Sequence, residues 1–354
     1  MQSTQLHPIR FDKYKGMGKT GLSNVGNTCY VNSLLQCLSH TYEFSDFLET
    51  NNFKERLNNN PDTILLVEWD NLRKLMWSKN CNIAPWGFIK AIHKVASLKE
   101  HSLFTGYDQN DIQEFLLFTI ECFHNSISRE VDMEVYGPVL NSIDLMAKNC
   151  YTMLRDMYEK DYSEIIKLFY GIHVSIIAEI DTDRTLSAKP EPFCVLSLPL
   201  PSKSNNLDTT IYSCIDEFCV KETLEGENTW YNDETKMKQT VEKGMIFWSF
   251  PEVLIIHFKR WNYTGKKDQR LVSVPLENCD LTQYIKGYNK SSYIYDLYGV
   301  CNHHGRGHLS GHYTANIKNA DGQWYNCNDM SITKIEPSKV VNVNAYCLFF
   351  RKKK

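Results

Sequence analysis

The hydrophobic period of this chain changes near residue 165, and that change limits the possible folds more than any other feature. Before it, apolar residues recur at helical spacing. The clearest case is Asp111 to His124, where Ile112, Phe115, Leu116, Thr119, Ile120 and Phe123 form one stripe. Asn110 is placed to cap that helix, and Asp111 and Glu114 fall in its first turn, where the helix dipole favours negative charge. Cys29 to His40 reads as another helix, and NNFKERLNNN (51–60) as a polar break. After it come β-branched and aromatic runs of strand length: HVSIIAEI (173–180), FCVLSL (193–198), VLIIHF (253–258), DLYGVC (296–301), YTANIK (313–318) and AYCLFF (345–350). Asn319-Ala320-Asp321-Gly322 reads as a hairpin turn. A helical first half followed by a β-rich second half predicts an α+β fold with a cleft between them.

The 354 residues suit one large domain or two intimate subdomains. A net charge of -3 without a long basic stripe excludes nucleic acid as an expected partner. The terminal Arg351-Lys352-Lys353-Lys354 run reads as a solvated tail. No apolar signal core opens the chain, so an intracellular protein, cytoplasmic or nuclear, is expected. The apolar stretch from Ile246 to Phe258 is interrupted by Pro251 and Glu252 and is too short to cross a membrane. The 12 cysteines include no C-x-x-C pair, and reduced thiols fit them better than a disulfide framework.

One cysteine stands apart. Cys29 follows the glycine- and asparagine-rich turn GLSNVGNT (21–28) and opens a helix, where free amides favour a thiolate and an oxyanion. Cys37, Cys122 and Cys347 lie inside apolar elements and read as structural thiols. A nucleophilic thiol needs an imidazole, and the imidazole needs a group to orient it. His312, preceded by Gly311, enters a strand, and Asn328 and Asp329 lie just past the hairpin that follows. Gly311 reads as leaving room for a substrate chain. His303, His304 and His308 are competitors without so clear a strand after them.

These blocks resemble the ubiquitin-specific proteases. GLSNVGNTCYVNSLLQCL (21–38) resembles their cysteine box, departing only at Val31, where methionine is common. DQNDIQEFL (108–116), FPEVLIIHFKRW (250–261) and SGHYTANIK with WYNCNDMSI (310–332) resemble three further blocks in the family's order. The resemblance implies a papain-like cysteine protease with a thumb over 21–165 and a palm and fingers over 166–354, preceded by a lead-in over 1–20. It implies Cys29 as nucleophile, His312 as base and Asn328 as the third triad member. Asp329 would help to orient His312 or polarise the attacking water, and Asn24 would stabilise the oxyanion. Asp111 would contact the basic tail of ubiquitin, and Tyr313 would line the tail channel. Ubiquitin or ubiquitinated proteins are the implied partners of a monomeric enzyme. One departure matters: the family's fingers usually carry two C-x-x-C zinc pairs, and residues 172–185 and 212–248 supply none, so no metal and no cofactor is expected. A protease for another ubiquitin-like modifier and a catalytically silent ubiquitin-binding scaffold stay open as alternatives.

Overall fold

A computed structural model describes residues 11–50, 53–182, 184–202, 208–288, 293–305, 307 and 310–353. Residues 1–10 of the lead-in, His308 and Lys354 lie outside the described residues.

The first half is helical: α1 (Cys29–Ser39), α2 (Tyr42–Thr50), α3 (Asp62–Ser78), α4 (Trp86–Leu98), α5 (Ile112–Ile127), α6 (Ser142–Tyr158) and α7 (Glu164–Phe169). Two short strands, β1 (Gly21–Leu22) and β2 (Asn82–Ile83), pair in parallel within it. The second half holds β3 (Gly171–Ala178), β4 (Thr185–Phe193), β5 (Val195–Pro199), α8 (Ile211–Cys219), β6 (Glu222–Leu224), β7 (Trp230–Asn232), β8 (Met237–Gln239), β9 (Val241–Ser249) and β10 (Val253–Lys259). It closes with β11 (Cys279–Asp280), β12 (Ile294–His304), β13 (His312–Lys318), β14 (Trp324–Asn328), β15 (Ser331–Ile335) and β16 (Ala345–Lys352). The α+β fold is therefore observed. The main sheet runs β15-β14-β13-β12-β16-β10-β5, and a second runs β4-β3-β9-β6.

The α5 stripe is buried as its period predicts, but Asp111, not Asn110, caps the helix. Several elements of the second half escaped the pattern, β4 and α8 among them. β4 carries Pro190 and Pro192, yet it pairs with β3 along its length as an edge strand, where a missing N–H can face outward. α8 lies inside a stretch expected to be fingers; Thr210 and Ser213 form a reciprocal capping box that starts it. The terminal basic run is also corrected. Arg351 belongs to β16 and is ion-paired with buried Glu43 of α2, with its Nη2 2.8 Å from the His40 carbonyl. Its guanidinium stacks on Tyr42 and Tyr298, so it is part of the core joint and not a solvated tail.

The two halves share one core. Leu34, Leu35, Cys37 and Leu38 of α1 pack with Cys301, Tyr313, Ala315, Ile317 and Phe349 of the main sheet. This packing holds the N-terminus of α1 against the start of β13. No helix is long and apolar enough to cross a membrane, among the described residues.

Candidate active site

Cys29 is the first residue of α1 and is buried. Thr28 before it makes no side-chain bond to the helix's free amides, so those N–H groups remain available to an anion. Burial pushes the Cys29 thiol up. The backbone N–H of Tyr313 opposes this, the Asp329 charge adds to it, and the amides of Tyr30 and Cys29 itself oppose it. The Tyr313 amide brings the sulfur against β13, one residue beyond His312.

His312 opens β13, and its Nε2 lies 2.7 Å from Asn328 Oδ1 at the end of β14. The two strands are antiparallel, joined by the expected turn, in which Asn319 N donates to Gln323 O and Gly322 takes a φ of +80°. An amide oxygen can only accept, so Nε2 carries the proton and Nδ1 is left as a base. His312 and Asn328 thus meet on a hairpin, and the Tyr313 amide sets Cys29 one residue along from His312.

Asp329 sits in the turn between β14 and β15 at a φ of +49°, a costly conformation for a non-glycine residue. Its partners are asparagines and not the imidazole. Oδ1 accepts from Asn32 Nδ2 at 2.8 Å and Oδ2 from Asn24 Nδ2 at 3.2 Å. Its carbonyl accepts from Leu22 N at 2.9 Å. Asn24 Oδ1 in turn accepts from Thr28 N at 2.9 Å, which fixes the amide plane beside the start of α1. Asn32 was not singled out in the sequence, although it stands three residues past Cys29 on the turn of α1 that faces Asp329.

Asp111 is half-buried and doubly engaged. One oxygen caps α5 by accepting from Gln113 N at 2.7 Å, and the other accepts from the Tyr346 hydroxyl at 2.7 Å. Asn110 instead donates to Tyr30 Oη at 3.3 Å. Tyr313 is buried, its ring 4.8 Å from His303, and burial with the nearby Asp111 charge pushes its hydroxyl up. Gln109, another residue the sequence did not single out, accepts from Gly311 N at 3.0 Å and so ties the loop before α5 to the approach to His312. Gly311 does not open a space: a Cβ there would fall 2.5 Å from His303 Nε2 and 2.6 Å from His304 O.

Of the competing histidines, His303 is 1% exposed on the opposite side of the sheet from His312. His304 holds Thr314 Oγ1 at 3.0 Å, and burial, followed by the neighbouring His312 and Lys267, pulls its pKa below the usual histidine value. A polar cavity of about 280 Å³ borders His312 and Asn328 and is lined also by His304, Thr314 and Asn316. Among the described residues no three His, Cys, Asp or Glu side chains converge as a metal site.

A family model described as ubiquitin carboxyl-terminal hydrolase matches residues 20–350. Human ubiquitin carboxyl-terminal hydrolase 2 is 31% identical over 343 residues, which cover 94% of this chain and 55% of that protein. This chain therefore spans about half the length of that relative. A probable ubiquitin carboxyl-terminal hydrolase of Acanthamoeba polyphaga mimivirus is 26% identical over 426 residues, covering 94% of this chain and 90% of its own. Among solved structures, the SAGA Ubp8/Sgf11/Sus1/Sgf73 DUB module bound to ubiquitin aldehyde superposes with a TM-score of 0.72 at 25% identity, covering 95% of this chain and 70% of that one. With a family model spanning nearly all of its residues, this chain belongs to the ubiquitin carboxyl-terminal hydrolase family.

Proposed function

We propose that the chain is a thiol-dependent deubiquitinase that hydrolyses the isopeptide or peptide bond after the terminal glycine of ubiquitin. The observation that carries this is the 2.7 Å bond between His312 Nε2 and Asn328, which leaves Nδ1 basic one residue before the Tyr313 amide that meets the Cys29 thiol at a helix N-terminus. In the first step His312 Nδ1 takes the Cys29 proton and the sulfur attacks the glycine carbonyl. The oxyanion is held by the Cys29 amide and the second N–H of Asn24. The imidazolium returns its proton to the leaving amine, and a thioester remains on Cys29. Water, deprotonated by His312, then attacks that thioester and releases ubiquitin. Burial that raises the thiol suits a nucleophile deprotonated only when the imidazole takes the proton.

Ubiquitin or ubiquitinated proteins are the partners of this reading, and the working form is an intracellular monomer. Residues 21–165 act as the thumb and 166–354 as the palm and fingers. Asp111, through its charge, and Tyr313, through its place beside Cys29, serve the ubiquitin tail.

The test is reaction with a ubiquitin-based electrophile, run beside probes built on other ubiquitin-like modifiers, together with turnover of a ubiquitin–fluorophore conjugate. Wild type should be labelled by the ubiquitin probe, and Cys29→Ala should lose both labelling and turnover while still binding ubiquitin. Labelling by a different modifier alone, or by none, would overturn the reading.

A further inference from the structure

Lys267 closes a tight hairpin beside the main sheet. It pairs with Trp261 across the loop; Gly265 supplies a φ of +74°, and Asn262 Oδ1 accepts from the amides of Thr264 and Lys266. Tyr263 at the tip is fully exposed, but Lys267 turns inward and is only 6% exposed. Its Nζ donates to the His303 carbonyl at 2.5 Å and to His303 Nδ1 at 3.1 Å, with the Trp261 ring 5.5 Å away. Among the described residues it forms no ion pair with a carboxylate. Asp268 is turned to Arg270, and Arg260 spends its guanidinium on the carbonyls of Ala345, Asp268 and Arg270. Burial and the Arg260 charge pull Lys267 down to about 8. A buried cation without a counter-ion costs stability, so its retention beside a catalytic strand points to a role beyond folding.

That role follows from what the ammonium does to His303. A cationic donor at Nδ1 forces the imidazole proton onto Nε2 and fixes the ring plane. The ring then occupies the space where a side chain on Gly311 would stand. Gly311 is held from the other side by Gln109. The His303 carbonyl lies where β12 and β13 begin to part, one pair inside His304 and His312.

We infer that Lys267 is a positioning residue for the reaction at His312. It locks the ring and carbonyl of His303, and His303 fixes Gly311 and the start of β13. This rests on the deubiquitinase reading above.

The experiment compares wild type with Lys267→Met, Lys267→Arg, His303→Phe, the Lys267→Met/His303→Phe double variant, and the exposed neighbour Lys266→Met as control. For Lys267→Met, kcat on a ubiquitin–fluorophore conjugate should fall ~10- to 100-fold, the scale of a small misplacement of a catalytic group. KM should stay within about threefold and the melting temperature within a few degrees. Lys267→Arg should recover part of the rate, and the double variant should be no slower than the slower single one, because both act through one contact. A kcat loss that only tracks a fall in melting temperature, additive losses in the double variant, or the same behaviour as Lys266→Met would overturn the inference. A second readout uses no ubiquitin: the rate at which iodoacetamide alkylates Cys29, followed by peptide mass spectrometry. Slower alkylation in Lys267→Met supports the inference and an unchanged rate overturns it, even if wild type cleaves no ubiquitin conjugate and the functional reading itself fails.

Discussion

Asn328 and Asp329 are sequence neighbours with separate partners. Asn328 holds the imidazole, while both Asp329 oxygens hold asparagine amides before and within α1. In the proposed reaction Asp329 would therefore act through Asn24, whose Nδ2 it holds. Asn24→Ala removes one oxyanion donor and should lower kcat on the order of 100- to 1000-fold. Asp329→Asn should lower it by less, ~10-fold, because Asn24 keeps its bond to Thr28 but loses the charge that aims its Nδ2. The two losses should not add, since without Asn24 nothing is left for Asp329 to orient. Steady-state rates of the two single variants and the double variant check this; additive losses would show that Asp329 acts on water or His312 instead. Cys29, His312, Asn328 and Asn24 could be singled out as candidates because each lies in a dense local motif. The partners of Asp329 were not legible, because Asn24 and Asn32 are 305 and 297 residues away along the chain. Gly311 was misread for a related reason: the ring that fills its space belongs to the neighbouring strand.

Helix α5 was the most legible element, because an amphipathic stripe survives in almost any tertiary context, but its boundary was not. Asp111 is the cap, and that gives its two roles separable signatures. Asn is as good an N-cap as Asp, so Asp111→Asn should cost little stability, whereas Asp111→Ala should cost ~1 kcal/mol or more. Thermal melts give the cap contribution, and turnover of the Asn variant isolates the charge. A loss of activity in Asp111→Asn without a loss of melting temperature is expected for contact with a basic tail; unchanged activity would leave Asp111 a helix residue only. β4 and α8 were illegible for opposite reasons. Two prolines disguise an edge strand, and a short helix is set mainly by its capping box. The β16 terminus shows the cost of reading charge without partners. Arg351→Met should leave Glu43 buried without its counter-ion, a loss on the order of 3 to 5 kcal/mol that denaturant unfolding would report. A loss below ~1 kcal/mol would mean that Arg351 behaves as the solvated cation its sequence context suggests.

At the scale of the whole molecule, two features tie stability to conditions. The first is acid. His40 at the end of α1 and His257 on β10 are buried and pulled down to about 4 and about 3, by burial first, then by neighbouring cations. Unfolded, both titrate near ~6.5. Their neutral burial therefore contributes fully above that value and is lost as pH falls toward their folded values, about 2 kcal/mol from each by pH 5. Unfolding midpoints should fall from pH 7 to 5, and the fall should shrink in the His40→Gln/His257→Gln variant. Equal slopes would rule these histidines out. The second is metal. The β4-β3-β9-β6 sheet, the proposed fingers, is held on one face by α6: Ala147 and Cys150 pack on Ile172, Val174 and Trp248. On the other face Phe247 sits 6.0 Å from Phe193, 5.7 Å from Phe218 and 4.6 Å from Phe250. Lys221, just before β6, pairs with Glu242 of β9, and Glu222 of β6 pairs with Lys243 of β9. Cys214 packs in a buried cluster with Leu196 and Leu198, and burial pushes Cys214 and Cys219 up to about 12 and about 11, which opposes the thiolates zinc requires. Purified protein should therefore carry well under one zinc per chain by elemental analysis, and a strong chelator should change neither melting temperature nor turnover. Stoichiometric zinc, or a chelator that lowers the melting temperature, would mean that α8 moves to present Cys214 and Cys219 to a metal, and that side-chain packing alone does not hold this sheet together.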